Sequence, residues 1–104
     1  MDIENIAMTL IAHSGDARTL AYRALNAAKA HDFEEADRLM KESEQCSILA
    51  HNGQSELLFA EANGNKTELN VLLVHAQDHL MTSMLAQELI RELIEVYKVK
   101  QDKE

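Results

Sequence analysis

Two histidines, a glutamine and an aspartate fall within five residues at His75-Ala76-Gln77-Asp78-His79, the densest gathering of reactive side chains in the 104-residue chain. On a helix, His75 and His79 are four apart and share a face, while Asp78 lies three beyond His75 on its other flank. Successive helix positions turn by about 100°, so Asp78 and His79 diverge, and one helix does not easily aim all three groups at a single ion. Two separate tasks suit this spacing better than one chelate. Imidazole titrates near neutrality and offers a donor and an acceptor, so the His75/His79 pair is fitted to hold a proton or an anion. Asp78, if it met its own copies across a symmetry axis, would gather carboxylates in a poorly solvated place, a repulsion that a cation or protons relieve.

Plainer readings compete with these. A histidine at a bundle seam commonly makes one ordinary hydrogen bond, and a helical His-x-x-x-His pair also suits zinc. Met81 and Met84 read as packing or as an adaptable docking surface. His13, His31 and His51 are scattered, with His31 placed to meet the dipole at the end of the first helix. Cys46 has no basic neighbour and reads as core filler, not a nucleophile.

These residues need long helices to hold them. Ile3, Ile6, Ala7, Leu10, Ile11, Ala17, Ala21, Ala24, Leu25 and Ala28 repeat at three and four, predicting a helix over roughly Asp2 to Ala30, capped by Asp2, with Gly15 as a point of close helix contact. Asp32 followed by Glu35 is a capping-box pattern. It opens a second helix whose face carries Phe33, Ala36, Leu39, Met40, Ser43, Ser47, Ala50, Gln54, Leu57 and Leu58, ending near Ala62. Asn63-Gly64-Asn65 tolerates positive φ, and Thr67 can cap a third helix running to about Lys100, leaving a frayed tail from Lys98 to Glu104. Rods of about 45 Å joined by short turns imply an all-α, antiparallel up-down-up three-helix bundle, one domain over residues 1–104.

The late part of the third helix is expected to bury Ala86, Leu89, Ile90, Leu93 and Tyr97. Carried backward, that line runs through Thr82, His79, Asp78 and His75, while the outward line carries Met84, Met81, Gln77 and Val74. Polar groups inward and apolar ones outward require neighbours that one chain does not supply, so a homo-oligomer packed through the third helix is expected.

Ten basic residues against eighteen acidic give a net charge of −8, which disfavours nucleic acid and anionic membranes as partners. The absence of Pro, the three Gly and the 46% apolar content suit helices and a folded core. A lone cysteine and the start MDIENIAMTL, without a basic and apolar leader, suggest a cytoplasmic protein with no direct membrane insertion.

The segments Ser14-Gly15-Asp16-Ala17-Arg18, Leu20-Ala21-Tyr22, Asp32-Phe33-Glu34-Glu35-Ala36, Ala50-His51 and above all Val71-Leu72-Leu73-Val74-His75-Ala76-Gln77-Asp78-His79-Leu80-Met81-Thr82 occur in that order. In them the chain resembles the enzyme IIA component of the bacterial phosphotransferase system for lactose, cellobiose and chitobiose. The resemblance implies that His75 is phosphorylated by HPr, the histidine-containing carrier, and passes the phosphoryl group to a cysteine of the IIB component. It also implies a homotrimer in which Asp78 from three subunits shares one Mg2+. Gln77 or His79, from the same or an adjacent subunit, is expected to donate hydrogen bonds to the phosphoryl oxygens. Outside that resemblance, a helical adaptor module and a His-based metal-binding bundle are the alternatives.

Overall fold

The computed structural model describes residues 2–103, which form three long helices: α1 (Ile3–Lys29), α2 (Phe33–Ala62) and α3 (Val71–Asp102). The bundle is a rod measuring 57 × 19 × 19 Å. Asp2 and Asp32 cap α1 and α2 as their sequence positions predict, accepting from Asn5 N at 3.1 Å and Glu35 N at 3.2 Å. α1 and α2 end alike. His31 (φ 63°) and Gly64 (φ 89°) take the left-handed position after the cap, and the amides of Asp32 and Asn65 return to the carbonyls of Ala27 and Ala60. His31 therefore serves the turn, and its ring stacks on Phe33 with centroids 6.1 Å apart.

The third helix starts later than the sequence suggests. Asn70, not Thr67, is its cap, accepting from Leu73 N at 2.8 Å, so the second connection is longer than a tight turn. The helix also continues through the charged tail to Asp102, and Glu104 lies outside the described residues.

α1 contributes a face of fully buried alanines, Ala7, Ala17, Ala21, Ala24 and Ala28, whose small side chains let α2 and α3 approach closely. Two apolar clusters fill the rod. One, at the α1–α2 turn, gathers Leu25, Leu39, Met40, Ile90 and Ile94; the other gathers Ile6, Leu10, Leu57, Leu73 and Leu80. Between them lies a polar waist of buried Ser14, Ser43, Ser83 and Gln87. Ser43 donates to the Ala17 carbonyl at 2.6 Å and accepts from Gln87 Nε2 at 2.8 Å, while Ser47 donates to Gln87 Oε1 at 3.2 Å. These bonds fix the axial register of the helices at one level, because a slide would break several together.

The inward line of α3 differs in phase from the expectation. Leu73, Ala76, Leu80, Ser83, Gln87, Ile90 and Ile94 are buried, whereas Leu89 is 56% and Leu93 45% exposed. Hydrophobicity alone does not orient this helix, because it carries an apolar stripe on each side. Its small residues Ala76 and Ser83 match the alanine face of α1 and decide which stripe turns in.

Candidate functional site

That rotation rearranges the central string. His75, Asp78 and Thr82 do not point into the bundle but lie exposed on the outward face of α3, while His79 is half-buried against α1. The expectation of an inward ionisable line is thus corrected: one group of the four turns toward the core. Gly15 provides the space for it. A Cβ built there would stand 3.5 Å from His79 Cε1, so the ring lies directly over the glycine, though an alanine methyl would fit.

The hydrogen bonds of His79 fix its state. Its Nδ1 lies 3.1 Å from Ser14 Oγ, and its Nε2 lies 3.2 Å from an Arg18 guanidinium nitrogen. Arginine only donates, so Nε2 must present a lone pair. The single Ser14 hydroxyl proton goes to the Leu10 carbonyl at 2.5 Å, leaving Ser14 Oγ to accept from Nδ1–H. Both ends of the ring specify the same neutral, Nδ1-protonated tautomer. The electrostatics agree: burial, then the Arg18 charge, then His75 push the His79 pKa below the usual histidine value, with Asp78 pulling weakly the other way. Within one chain both nitrogens already have partners, so a bond from His79 to a phosphoryl group, or to a zinc ion shared with His75, would displace Ser14 or Arg18.

His75 stands edge-on to His79, ring centroids 5.6 Å apart. It borders an open groove of about 640 Å³ lined by Leu69, Asn70, Val71, Val74, His75 and Asp78, in which Leu69 is 76% and Val71 86% exposed. Gln77 points elsewhere. About 200° round the helix from His75, it accepts from Gln54 Nε2 on α2 at 2.7 Å, so one chain does not bring it to the His75 ring. Among the described residues no three His, Cys, Asp or Glu side chains form a metal-sized group, and Asp78 offers a single carboxylate per chain. Cys46 is half-buried, and burial raises its thiol pKa, which keeps it a weak nucleophile.

Arg18 is the member of this site that the sequence did not single out as chemical. Its signal was present: Ser14 and Arg18 stand one turn apart beside a helix face otherwise made of alanine, leucine and isoleucine.

Fold and site together define a helical bundle that displays one exposed imidazole over a second imidazole held neutral. The sequence pattern described as "PTS system, Lactose/Cellobiose specific IIA subunit" matches residues 5–98. The chain belongs to that family. It is 48% identical over 97 residues to the N,N'-diacetylchitobiose-specific EIIA component of Escherichia coli K12, covering 93% of this chain and 84% of the relative. The cellobiose-specific enzyme IIA of Bacillus anthracis superposes with a TM-score of 0.97 at 43% identity, covering 100% of this chain and 95% of that one. The IIA(chitobiose) of the Escherichia coli IIA–HPr complex gives a TM-score of 0.84 at 46% identity, with 97% and 98% covered. The protein is therefore a IIA component of the lactose, cellobiose and chitobiose type. No helix among the described residues is long and apolar enough to cross a membrane.

Proposed function

We propose that His75 is the phosphoryl carrier of this chain, charged by HPr and discharged to a cysteine of the cognate IIB component during uptake of a β-linked disaccharide. The observation that carries this reading is the placement of His75 in the open, at the rim of an apolar groove, on a chain of the IIA family. A neutral imidazole nitrogen is a competent nucleophile near pH 7, so phosphoryl transfer between two imidazoles needs in-line placement and charge stabilisation rather than a catalytic base. Leu69, Val71 and Val74 line the groove beside the ring with exposed apolar surface that two partners can use in turn. The relative solved with HPr supports HPr as the donor.

Assembly belongs to the same reading. Val71, His75, Asp78, Thr82, Leu85, Leu89, Glu92, Val96 and Val99 are spaced alternately four and three, and all are exposed on the single chain. This heptad seam suits self-association through α3. Glu95 and Lys100 occupy flanking positions five apart, which pair across a parallel seam, whereas an antiparallel one would oppose Glu88, Glu95 and Asp102 to one another. In a parallel homotrimer, three Asp78 carboxylates meet near the axis and supply the hard oxygen ligands that Mg2+ takes together with water.

Incubation with phosphoenolpyruvate, enzyme I and HPr, followed by intact mass measurement, tests the carrier role. The chain should gain one acid-labile phosphoryl group, and His75→Ala should lose it with helix content unchanged. Labelling retained at another residue defeats the assignment. An adaptor would show no added mass, and a metal bundle would instead unfold on chelation.

A further inference from the structure

The segment Ser14 to Arg18 reaches the site yet has no part in the reaction as described so far. A phosphoryl group brings about two negative charges to His75, beside Asp78, on a chain whose net charge is already −8. A cation beside the ring would stabilise that charge. Arg38 is taken by Glu35 and Glu42, Arg91 by Glu44, and Lys98 by Asp37 and Glu95; Arg23, Lys29, Lys41, Lys66, Lys100 and Lys103 make no ion pair among the described residues, but none of them is hydrogen-bonded to a residue of this site, as Arg18 is. Arg18 makes no ion pair among the described residues; its guanidinium meets the His79 ring nitrogen. One of its five N–H groups is used there, and the remaining fork is of the kind that grips phosphate oxygens in pairs.

We propose that Arg18 is the phosphoryl-binding cation of this site, held at His75 by His79. This rests on His75 being the carrier. The His75 ring lies at 5.6 Å from the His79 ring and the guanidinium at 3.2 Å from His79 Nε2, so nucleophile and cation neighbour the same imidazole. Ser14, anchored to the Leu10 carbonyl, orients that imidazole and leaves its Nε2 lone pair toward Arg18. Ser14 and His79 are positioning residues. In the transfer, the donor P–N bond breaks and its electron pair returns to the donor ring. The lone pair of a His75 nitrogen forms the new N–P bond, and the N–H on the other nitrogen of His75 stays in place. The charge on the three phosphoryl oxygens, present throughout, is what Arg18 meets. Holding the guanidinium by a neutral acceptor, not a carboxylate, keeps its full charge available to the incoming group.

The test compares the initial rate of charging by phospho-HPr in Arg18→Gln, Arg18→Lys and His79→Gln. Removing one preorganised donor from a transferring phosphoryl group costs about 10²-fold in turnover. Arg18→Gln should lose that much with the KM for HPr little changed, and Arg18→Lys should recover part of it. His79→Gln should lose less, because it releases the cation without removing it. In the wild-type chain, the Arg18 guanidinium 15N resonances should shift on phosphorylation, a readout that needs no variant to fold. Wild-type turnover in Arg18→Gln, a loss confined to KM, or unshifted Arg18 resonances in a fully phosphorylated sample overturns the proposal and leaves His75 as carrier. Labelling of His75→Ala overturns the reading beneath it instead.

Discussion

The two faces of α3 are made of similar residues and behave in opposite ways. Leu73, Ala76, Leu80, Ile90 and Ile94 are closed off inside one chain, whereas Val71, Val74, Leu85, Leu89 and Val96 remain open to solvent along the same helix. The inward face is finished by the alanine surface of α1 and by the serine and glutamine bonds of the waist. Nothing among the described residues covers the outward face, and it carries His75 and Asp78. A helix apolar on both sides is satisfied only when a second surface covers it, and His75 and Asp78 lie on the side left open. The difference separates the residues that make the chain fold from those that make it meet other chains.

Truncation on each face breaks or sustains that separation most sharply. Leu80 has no solvent exposure, so Leu80→Ala should cost the fold about 2–5 kcal/mol in urea melts, from lost burial and the cavity left behind. Leu89→Lys should leave helix content intact in the dispersed chain and move sedimentation toward the monomer. If Leu89→Lys unfolded the chain as Leu80→Ala does, the outward face would be part of the core and the contrast would fail.

Asp78 gives the next largest effect. At a heptad position flanked by apolar surface, carboxylates brought together by assembly repel, so Asp78→Leu should strengthen the oligomer in metal-free buffer by about 1 kcal/mol or more. Dissociation at higher concentration than wild type would remove the axial carboxylates from the account. Added Mg2+ should stabilise the wild-type oligomer and leave Asp78→Leu unaffected, which separates a bound cation from simple protonation.

Much of this organisation was legible in the sequence. The three-and-four spacing of Ile6, Leu10, Ala17, Ala21 and Ala24, the caps at Asp2 and Asp32 and the turn at Gly64 each state a local rule that the fold obeys. The divergent aims of Asp78 and His79 followed from helical geometry alone. The phase of α3 did not follow, because Leu89 and Leu93 are as hydrophobic as Ile90 and Ile94, and the choice between them is made by the shape of a different helix. The same limit hid Arg18. Its link to His79 spans 61 residues of sequence and exists because α3 packs its ring over Gly15 of α1. Gln77 shows the converse limit: adjacent in sequence to the reactive histidines, within one chain it turns to Gln54, a partner that only packing supplies.

The smallest effect tests the inward face itself. Ser83 is buried at the waist, and its hydroxyl has no hydrogen-bond partner, whereas Ser43 at the same level both donates and accepts. An unmade bond costs the desolvation of the hydroxyl without return, while a made one leaves its partner stranded when deleted. Ser43→Ala should therefore destabilise the chain by about 1–3 kcal/mol. Ser83→Ala should be neutral or stabilising by under about 1 kcal/mol, because the alanine removes only the uncompensated group. Urea melts of the two variants at equal chain concentration read the difference. A loss in Ser83→Ala as large as that in Ser43→Ala would mean that the Ser83 hydroxyl is bonded in solution, so that every polar group on the inward face, and not only the Ser43 and Gln87 pair, holds the waist in register.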